Sequence, residues 1–382
     1  MTSIKSSSSL VARVLDLLSI LSFALFSSAV CSDPIRVPAA RADHGVVLLY
    51  HHIDENTPTS TSTTPARFEE HLEHIEQWGY TVMPLEEMIA TLRSGGLIPD
   101  KALAITFDDA YRSVFSQAHP RLAARGWPYT VFVHSDAIAA TPGLHLSWNQ
   151  LRQMQDNGAT IAGHSASHAH LSRTLPGESH RAWRQRVTQS ISQANEIIAR
   201  HLGHAPPLFA YPYGEFTPEL SSVLQDLRLV ALGQHSGAIG HQSDFTGLPR
   251  FPMATGYDSV DRLATALRAR PLTVRATPPG PRQINTARTQ PQVTLEIEPG
   301  DYDLDRLSCY ATGQGRMQQQ RIGDNQWRIA PVRDIQPGRT KYNCTAPATK
   351  EAGAHFWWSY LCLLYTSPSP RDRTRSRMPS SA

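Results

Sequence analysis

The chain has 382 residues, 36 Lys+Arg against 33 Asp+Glu, a formal net charge of +3 and a sequence pI near 8.7. Charged residues make up 18% and apolar ones 40%. This composition excludes a disordered polyelectrolyte and a polytopic membrane protein, and the length suits two domains. The positive excess sits in the segment from Tyr365 onward, where Arg371, Arg373, Arg375 and Arg377 face Asp372 alone. The remainder is neutral, so no nucleic-acid partner is expected.

Residues 1–31 carry Lys5 and Arg13, then the apolar run LLSILSFALFSSAV from Leu17 to Val30, with Asp16 interrupting its approach. The run is short for a bilayer and ends in small residues. It reads as a secretion signal cut after Ala29, with an uncleaved anchor as the alternative. Val30 before Cys31 argues against a lipoprotein. The rest of the chain is therefore expected outside the cytoplasm, periplasmic or secreted, with no transmembrane span once the signal is removed.

From Val46 to Ile53 the apolar run VVLLYHHI reads as a buried strand. Helical spacing of Phe68, Leu72, Ile75 and Trp78 follows, then a short strand TVMP and a helix LEEMIATLRSGG stopped by Gly95 and Gly96. The alternation continues through strands at 102–107, 129–133, 159–163, 208–212 and 229–233. Between and after them, helices are expected near 112–125, 148–157, 178–202, 218–226 and 259–269. Short apolar strands alternating with helices over some 230 residues predict an α/β fold, a distorted (β/α) barrel over 45–272.

After a Pro/Gly linker at 273–291, residues 292–361 lose the helical period and read as a small β-sandwich-like module. Of the four cysteines, Cys309 and Cys344 both lie in this module and form the expected disulfide. From about Cys362 the sequence resembles sequencing-adapter read-through joined to a truncated gene. Residues 362–382 are accordingly expected to be a disordered, non-native tail.

Three polar clusters follow apolar strands. Asp108 and Asp109 come after ITF. One Asp would serve as a helix cap, but adjacent carboxylates repel unless a cation or unlike environments separate their pKa values. His164-Ser165-Ala166-Ser167-His168 comes after TIAG, with two imidazoles at a spacing that suits either one metal ion or a structural role. Tyr211-Pro212-Tyr213-Gly214 reads as a rigid turn, or as a loop aiming a backbone N–H at a reacting oxygen.

Together these clusters resemble the polysaccharide deacetylase family (carbohydrate esterase family 4, the NodB-homology domain). Its TFDD motif is Thr106 to Asp109, its H-[ST]-x-x-H motif His164 to His168, and its PYG motif Pro212 to Gly214. The resemblance implies one divalent ion on Asp109, His164 and His168, zinc first with nickel or cobalt as alternatives, and Asp108 as catalytic base. Pro212, Tyr213 and Gly214 would form the substrate and oxyanion loop. The family's third motif usually carries an Arg two residues before its Pro, where this chain has Ala210. Arg250, in LPRFP, is the candidate to orient the base instead. Tyr50-His51-His52 precedes the TFDD strand, as in the permuted branch that includes poly-β-1,6-N-acetylglucosamine deacetylases, and by that match His51 is the general acid. His52 occupies a position often acidic in that branch.

The expected activity is metal-dependent N-deacetylation of an extracytoplasmic N-acetylhexosamine polysaccharide: poly-N-acetylglucosamine, a chitin-like polymer or peptidoglycan. The alternatives are O-deacetylation of an acetylated polysaccharide and an inactive barrel that binds glycan. In the last case Trp327, Trp357 and Trp358 would be stacking surfaces rather than sandwich core.

Overall fold

The computed structural model describes residues 40–141, 143–278, 282–284 and 289–365. The expected signal at 1–31 and the residues beyond 365 lie outside the described residues. No described helix is long and apolar enough to cross a membrane.

Strands β1 (His44–Tyr50), β2 (Thr81–Val82), β3 (Ala102–Phe107), β4 (Tyr129–Val133), β5 (Ala159–Gly163), β6 (Leu208–Ala210) and β7 (Val230–Leu232) carry the first sheet. Its order is β7-β6-β5-β4-β3-β1, every neighbouring pair is parallel, and β2 lies parallel to the start of β3. Two short strands, β8 (Ile239–Gly240) and β9 (Phe251–Pro252), add to β1, antiparallel and parallel respectively. A bridge between Leu232 and Leu248 brings the far edge round toward β1. The result is a curled, nearly closed (β/α) barrel.

Burial on both faces explains why these strands are continuous apolar runs. Val47, Ala104, Phe132, Ala162, Ala210 and Leu232 share one core cluster with Met88, Ile89 and Leu92 of helix α1 (Leu85–Arg93). The alternate residues, Leu48, Tyr50, Ile105, Val131 and Ile161, pack with Phe68, Leu72 and Ile75 of the preceding helix, Pro65–Gln77. Helix α2 (His180–Leu202) buries Trp183, Val187, Ile191, Ala194 and Ile198, a helical stripe capped by Ser179 and ended by left-handed Gly203.

Beyond the barrel two sheets pack as a sandwich. One has the order β10 (Ala269–Pro271), β16 (His355–Leu364), β15 (Gly338–Pro347), β13 (Ser308–Ala311), with β11 (Arg282–Ile284) also on β16. In the other, strand 274–277 pairs with β12 (Val293–Ile297), which pairs with β14 (Gln326–Ala330). Val293, Leu295, Trp327 and Ile329 of one sheet meet Cys309, Tyr342, Cys344 and Tyr360 of the other. Cys309 and Cys344 are direct partners across β13 and β15 and form a disulfide spanning 35 residues.

Two expectations need correcting. The stretch 273–291 is not a plain linker, because Val274–Thr277 and Arg282–Ile284 are strands. Val274 and Ala276 alternate onto the module core over too short a run to stand out beside the prolines. Nor does the fold stop before Cys362. Strand β16 runs to Leu364, and Cys362, Leu363 and Leu364 are fully buried. An apolar LCLL is an ordinary strand end once β15 and β11 lie on either side of it.

Candidate active site

The polar clusters converge at the C-terminal ends of the barrel strands, where chemistry sits in such folds. Asp108 and Asp109 leave β3, His164 leaves β5, the Tyr211–Gly214 turn leaves β6, and His51 follows β1. Asp109, Ser165, His168 and Tyr213 all adopt positive φ, as does Ala110. Left-handed backbone at non-glycine residues is held only where surrounding structure enforces it, and it clusters at functional sites.

One ligand atom each from Asp109, His164 and His168 lies within 4.8 Å of the others. Asp109 Oδ1 is 3.4 Å from His164 Nε2 and 3.1 Å from His168 Nε2. Even so, Asp109 Oδ1 and His164 Nε2 are buried without a hydrogen-bond partner. The His164 ring is fixed by Nδ1, 2.7 Å from the Ala210 carbonyl. A carbonyl only accepts, so Nδ1 carries the proton and the Nε2 lone pair faces Asp109. Ser165 Oγ accepts from the His168 N–H at 3.0 Å and sets the second imidazole. Burial lowers the His164 pKa, but Asp108 and Asp109 outweigh it and hold it above its ordinary value. Two carboxylates beside one imidazole make a field that calls for a cation. One carboxylate and two oriented imidazoles are a donor set for a divalent ion such as zinc, with positions left open.

Asp108 is fully buried and paired in a fork: Arg250 Nη1 to Oδ1 at 2.7 Å and Nη2 to Oδ2 at 2.8 Å. Arg250 is itself fully buried. Its Nε donates to the Gly233 carbonyl at 2.8 Å, and its guanidinium lies 5.3 Å from the Phe132 ring centre. Strand β9 seats Phe251 beside Leu48, so the arginine rises from within the barrel to the carboxylate. Arg250 therefore stands against Asp108, although the position two residues before Pro212 is Ala210. Burial raises the Asp108 pKa, but Arg250 and His164 more than offset this and keep it ionised. His51 Nε2 is 4.0 Å from Asp108 Oδ2. Burial holds the His51 pKa below its ordinary value while Asp108 pulls it up.

The structure also brings further residues to the site, among which Gln234, Tyr111, His134 and His145 are not named from the sequence. Gln234, after β7, places Nε2 3.2 Å from Asp108 Oδ2 and 3.5 Å from His51 Nε2. A wall of rings surrounds the ligand set. His52 stacks on Tyr111 at 3.5 Å, Tyr111 on His145 at 5.1 Å, and His134 lies 4.9 Å from His145 and 5.1 Å from His168. Burial pushes His134 down to about 3 and His52 to about 4, so both are neutral near pH 7. His170, a sequence neighbour of the motif, stacks on Tyr213 at 3.9 Å and bonds Glu215 at 2.8 Å. The signal for Gln234 and His134 was their place just past a barrel strand. Tyr111 and His145 carried no such mark. Among the tryptophans, Trp327 is buried in the module core, Trp358 packs against that core, and Trp357 packs on Phe251 of the barrel.

Comparison with known proteins agrees with this geometry. Residues 97–232 match the family model described as polysaccharide deacetylase. The chain is 24% identical over 173 residues to YxkH of Bacillus subtilis, covering 45% of this chain and 58% of that one. It is 20% identical over 245 residues to the poly-beta-1,6-N-acetyl-D-glucosamine N-deacetylase of Escherichia coli K12, covering 55% of this chain and 36% of that one. The chain thus spans less than two thirds of these relatives. In structure it resembles the Streptococcus pyogenes deacetylase PplD (TM-score 0.53, 19% identity, 60% of this chain and 99% of that one). It also resembles IcaB from Ammonifex degensii (TM-score 0.50, 21% identity, 57% and 95%). These two likenesses show the shared barrel fold. The matched stretch, residues 97–232, holds the TFDD, H-[ST]-x-x-H and PYG motifs and is a polysaccharide deacetylase domain by that family model.

Proposed function

We propose that the protein is an extracytoplasmic, metal-dependent hydrolase that removes N-acetyl groups from an N-acetylhexosamine polysaccharide. Poly-N-acetylglucosamine is the first substrate to test, because the E. coli relative is named for it. The observation that carries the reading is the pairing of two unlike carboxylates. Asp109 is turned to two imidazoles in a ligand set, and beside it Asp108 is clamped by Arg250.

Asp109, His164 and His168 would hold the ion, with zinc suiting the donors best and nickel or cobalt as alternatives. When bound, such an ion polarises an acetyl oxygen and acidifies water. Asp108 is ionised and acts as the general base that takes the water's proton. His51 is neutral in the free protein and within reach of Asp108. It accepts that proton and delivers it to the amine, which leaves poorly unless protonated. The 212–214 turn, with φ fixed by Pro212 and a left-handed angle allowed by Gly214, sets the Tyr213 N–H as a donor to the oxyanion. The barrel, 45–272, carries this chemistry, and the sandwich beyond it packs against the barrel's side.

The test is acetate release from poly-β-1,6-N-acetylglucosamine and chitooligosaccharides, with bound metal measured alongside. Asp108→Asn is expected to lower turnover by about 10²–10⁴-fold, the usual worth of a general base, while metal content stays unchanged. Full activity in that variant would remove Asp108 from the role. Release from O-acetylated glycan alone would move the reading to ester hydrolysis.

A further inference from the structure

We propose that the β module is part of the site: Arg339, on β15, fixes the side chain of Gln234 so that it holds Asp108 and His51 in place. This rests on the deacetylase reading above and adds to it a positioning residue that lies outside the barrel.

The Gln234 carboxamide has an accepting end and a donating end. Arg339 Nη1 lies 3.2 Å from Gln234 Oε1. A guanidinium can only donate, so the oxygen must face Arg339. At the other end, Gln234 Nε2 lies 3.2 Å from Asp108 Oδ2, and an ionised carboxylate can only accept. The reversed amide would set an NH₂ against a guanidinium and an oxygen against a carboxylate. The network therefore admits one orientation, and that orientation puts Nε2 3.5 Å from His51 Nε2 as well.

Backbone contacts support the same residue. Lys341 Nζ donates to the Gln234 carbonyl at 3.3 Å. On the opposite side Gly214 has φ +63, and a Cβ there would come within 2.5 Å of Gln234 Cβ. Gln234 is thus wedged between the oxyanion turn and the module. Strand register explains why both cations arrive together. On β15, Thr340, Tyr342 and Cys344 are buried, with Tyr342 and Cys344 in the module core, so Arg339 and Lys341 share the other face. Their partners on β16, Leu363 and Leu361, pack in a barrel cluster with Phe209, Tyr211 and Phe216.

The experiment compares Arg339→Met, Gln234→Leu, the double variant and Arg339→Lys in the full chain. It reads kcat and KM on poly-β-1,6-N-acetylglucosamine, bound metal and thermal midpoint. Arg339→Met and Gln234→Leu should each lower kcat by about ten- to a hundredfold, with KM within about twofold and metal content unchanged. The double variant should be no worse than Gln234→Leu, because both changes break one chain of contacts. Arg339→Lys keeps a donor and should recover kcat to within about threefold of wild type. Wild-type kcat in Arg339→Met, or additive losses in the double variant, overturns the proposal. If Arg339→Met does not fold, Gln234→Leu decides alone, and wild-type kcat in it is fatal. If the wild-type protein releases no acetate from any acetylated glycan, the deacetylase reading fails instead. A crystal structure of Arg339→Met then settles the positioning: the carboxamide should leave Asp108, and an unchanged contact overturns the proposal.

Discussion

Arg250 and Asp108 form a charge pair with both partners fully buried. Such a pair adds little over apolar packing, yet removing one partner leaves a bare charge in the core. Arg250→Met is therefore expected to cost about 3–5 kcal/mol of stability, measured by denaturant unfolding at neutral pH, and to impair turnover. A loss below about 1 kcal/mol would mean that water reaches the pair. Gly214 is held as tightly as this pair. It combines φ +63 with a Cβ position 2.5 Å from Gln234 Cβ and 2.7 Å from Gln234 N. Gly214→Ala strains the backbone and collides with main chain that cannot move aside, so it should lower both the thermal midpoint and kcat. Asp108, Asp109, His164 and the PYG turn were legible in the sequence because each ends an apolar strand with groups the core would not accept unpaired. Arg250 was readable only as an arginine after a strand-like segment. Gln234 offered only its place just past a barrel strand, and a glutamine there carries no local mark of what it faces.

Strand β15 shows how an element can serve two cores. One face closes the sandwich, and the other carries Arg339 and Lys341 to the barrel. Burial, together with the neighbouring Arg339, pulls the Lys341 pKa down to about 8. In the unfolded chain the same lysine titrates near its usual value of about 10.4. Between these two values the unfolded state binds more protons, so stability must rise with pH from about 8 to about 10. Lys341→Met removes this term. The variant should be more stable than wild type at pH 7, and the difference should shrink toward pH 10, as read from denaturant midpoints at a series of pH values. Equal slopes in the two proteins would show that the ammonium stays hydrated in the folded state. The β character of 292–361 was visible in the sequence, as were the long helix and the barrel strands. Which face of β15 met the barrel was not, because that is set by chain folding back from some hundred residues away.

At the scale of the whole molecule, the segment from Cys362 decides whether barrel and sandwich are one unit. Its composition next to an Arg/Ser/Pro stretch made it look foreign, since low-complexity neighbours mask a four-residue apolar strand end. In the structure, Leu361, Cys362, Leu363 and Leu364 pair with Lys341, Thr340, Arg339 and Gly338. Cutting the chain after Tyr360 thus removes the ladder that holds the two cations on Gln234. It also takes Leu361 and Leu363 out of a barrel cluster and Leu364 out of the module core. Tyr365 goes with them, and its hydroxyl donates to Glu215 at 2.9 Å, the carboxylate that also holds His170 against Tyr213. Burying a leucine is worth about 1.5–3 kcal/mol, so three approach the roughly 5–15 kcal/mol by which a domain is stable. A chain ending at Tyr360 should therefore lose most of its cooperative unfolding transition and at least tenfold in acetate release. A chain ending at Tyr365 should keep both. If the Tyr360 truncation unfolded like the longer chain and released acetate as fast, the contacts made by β16 would be packing without consequence for the site.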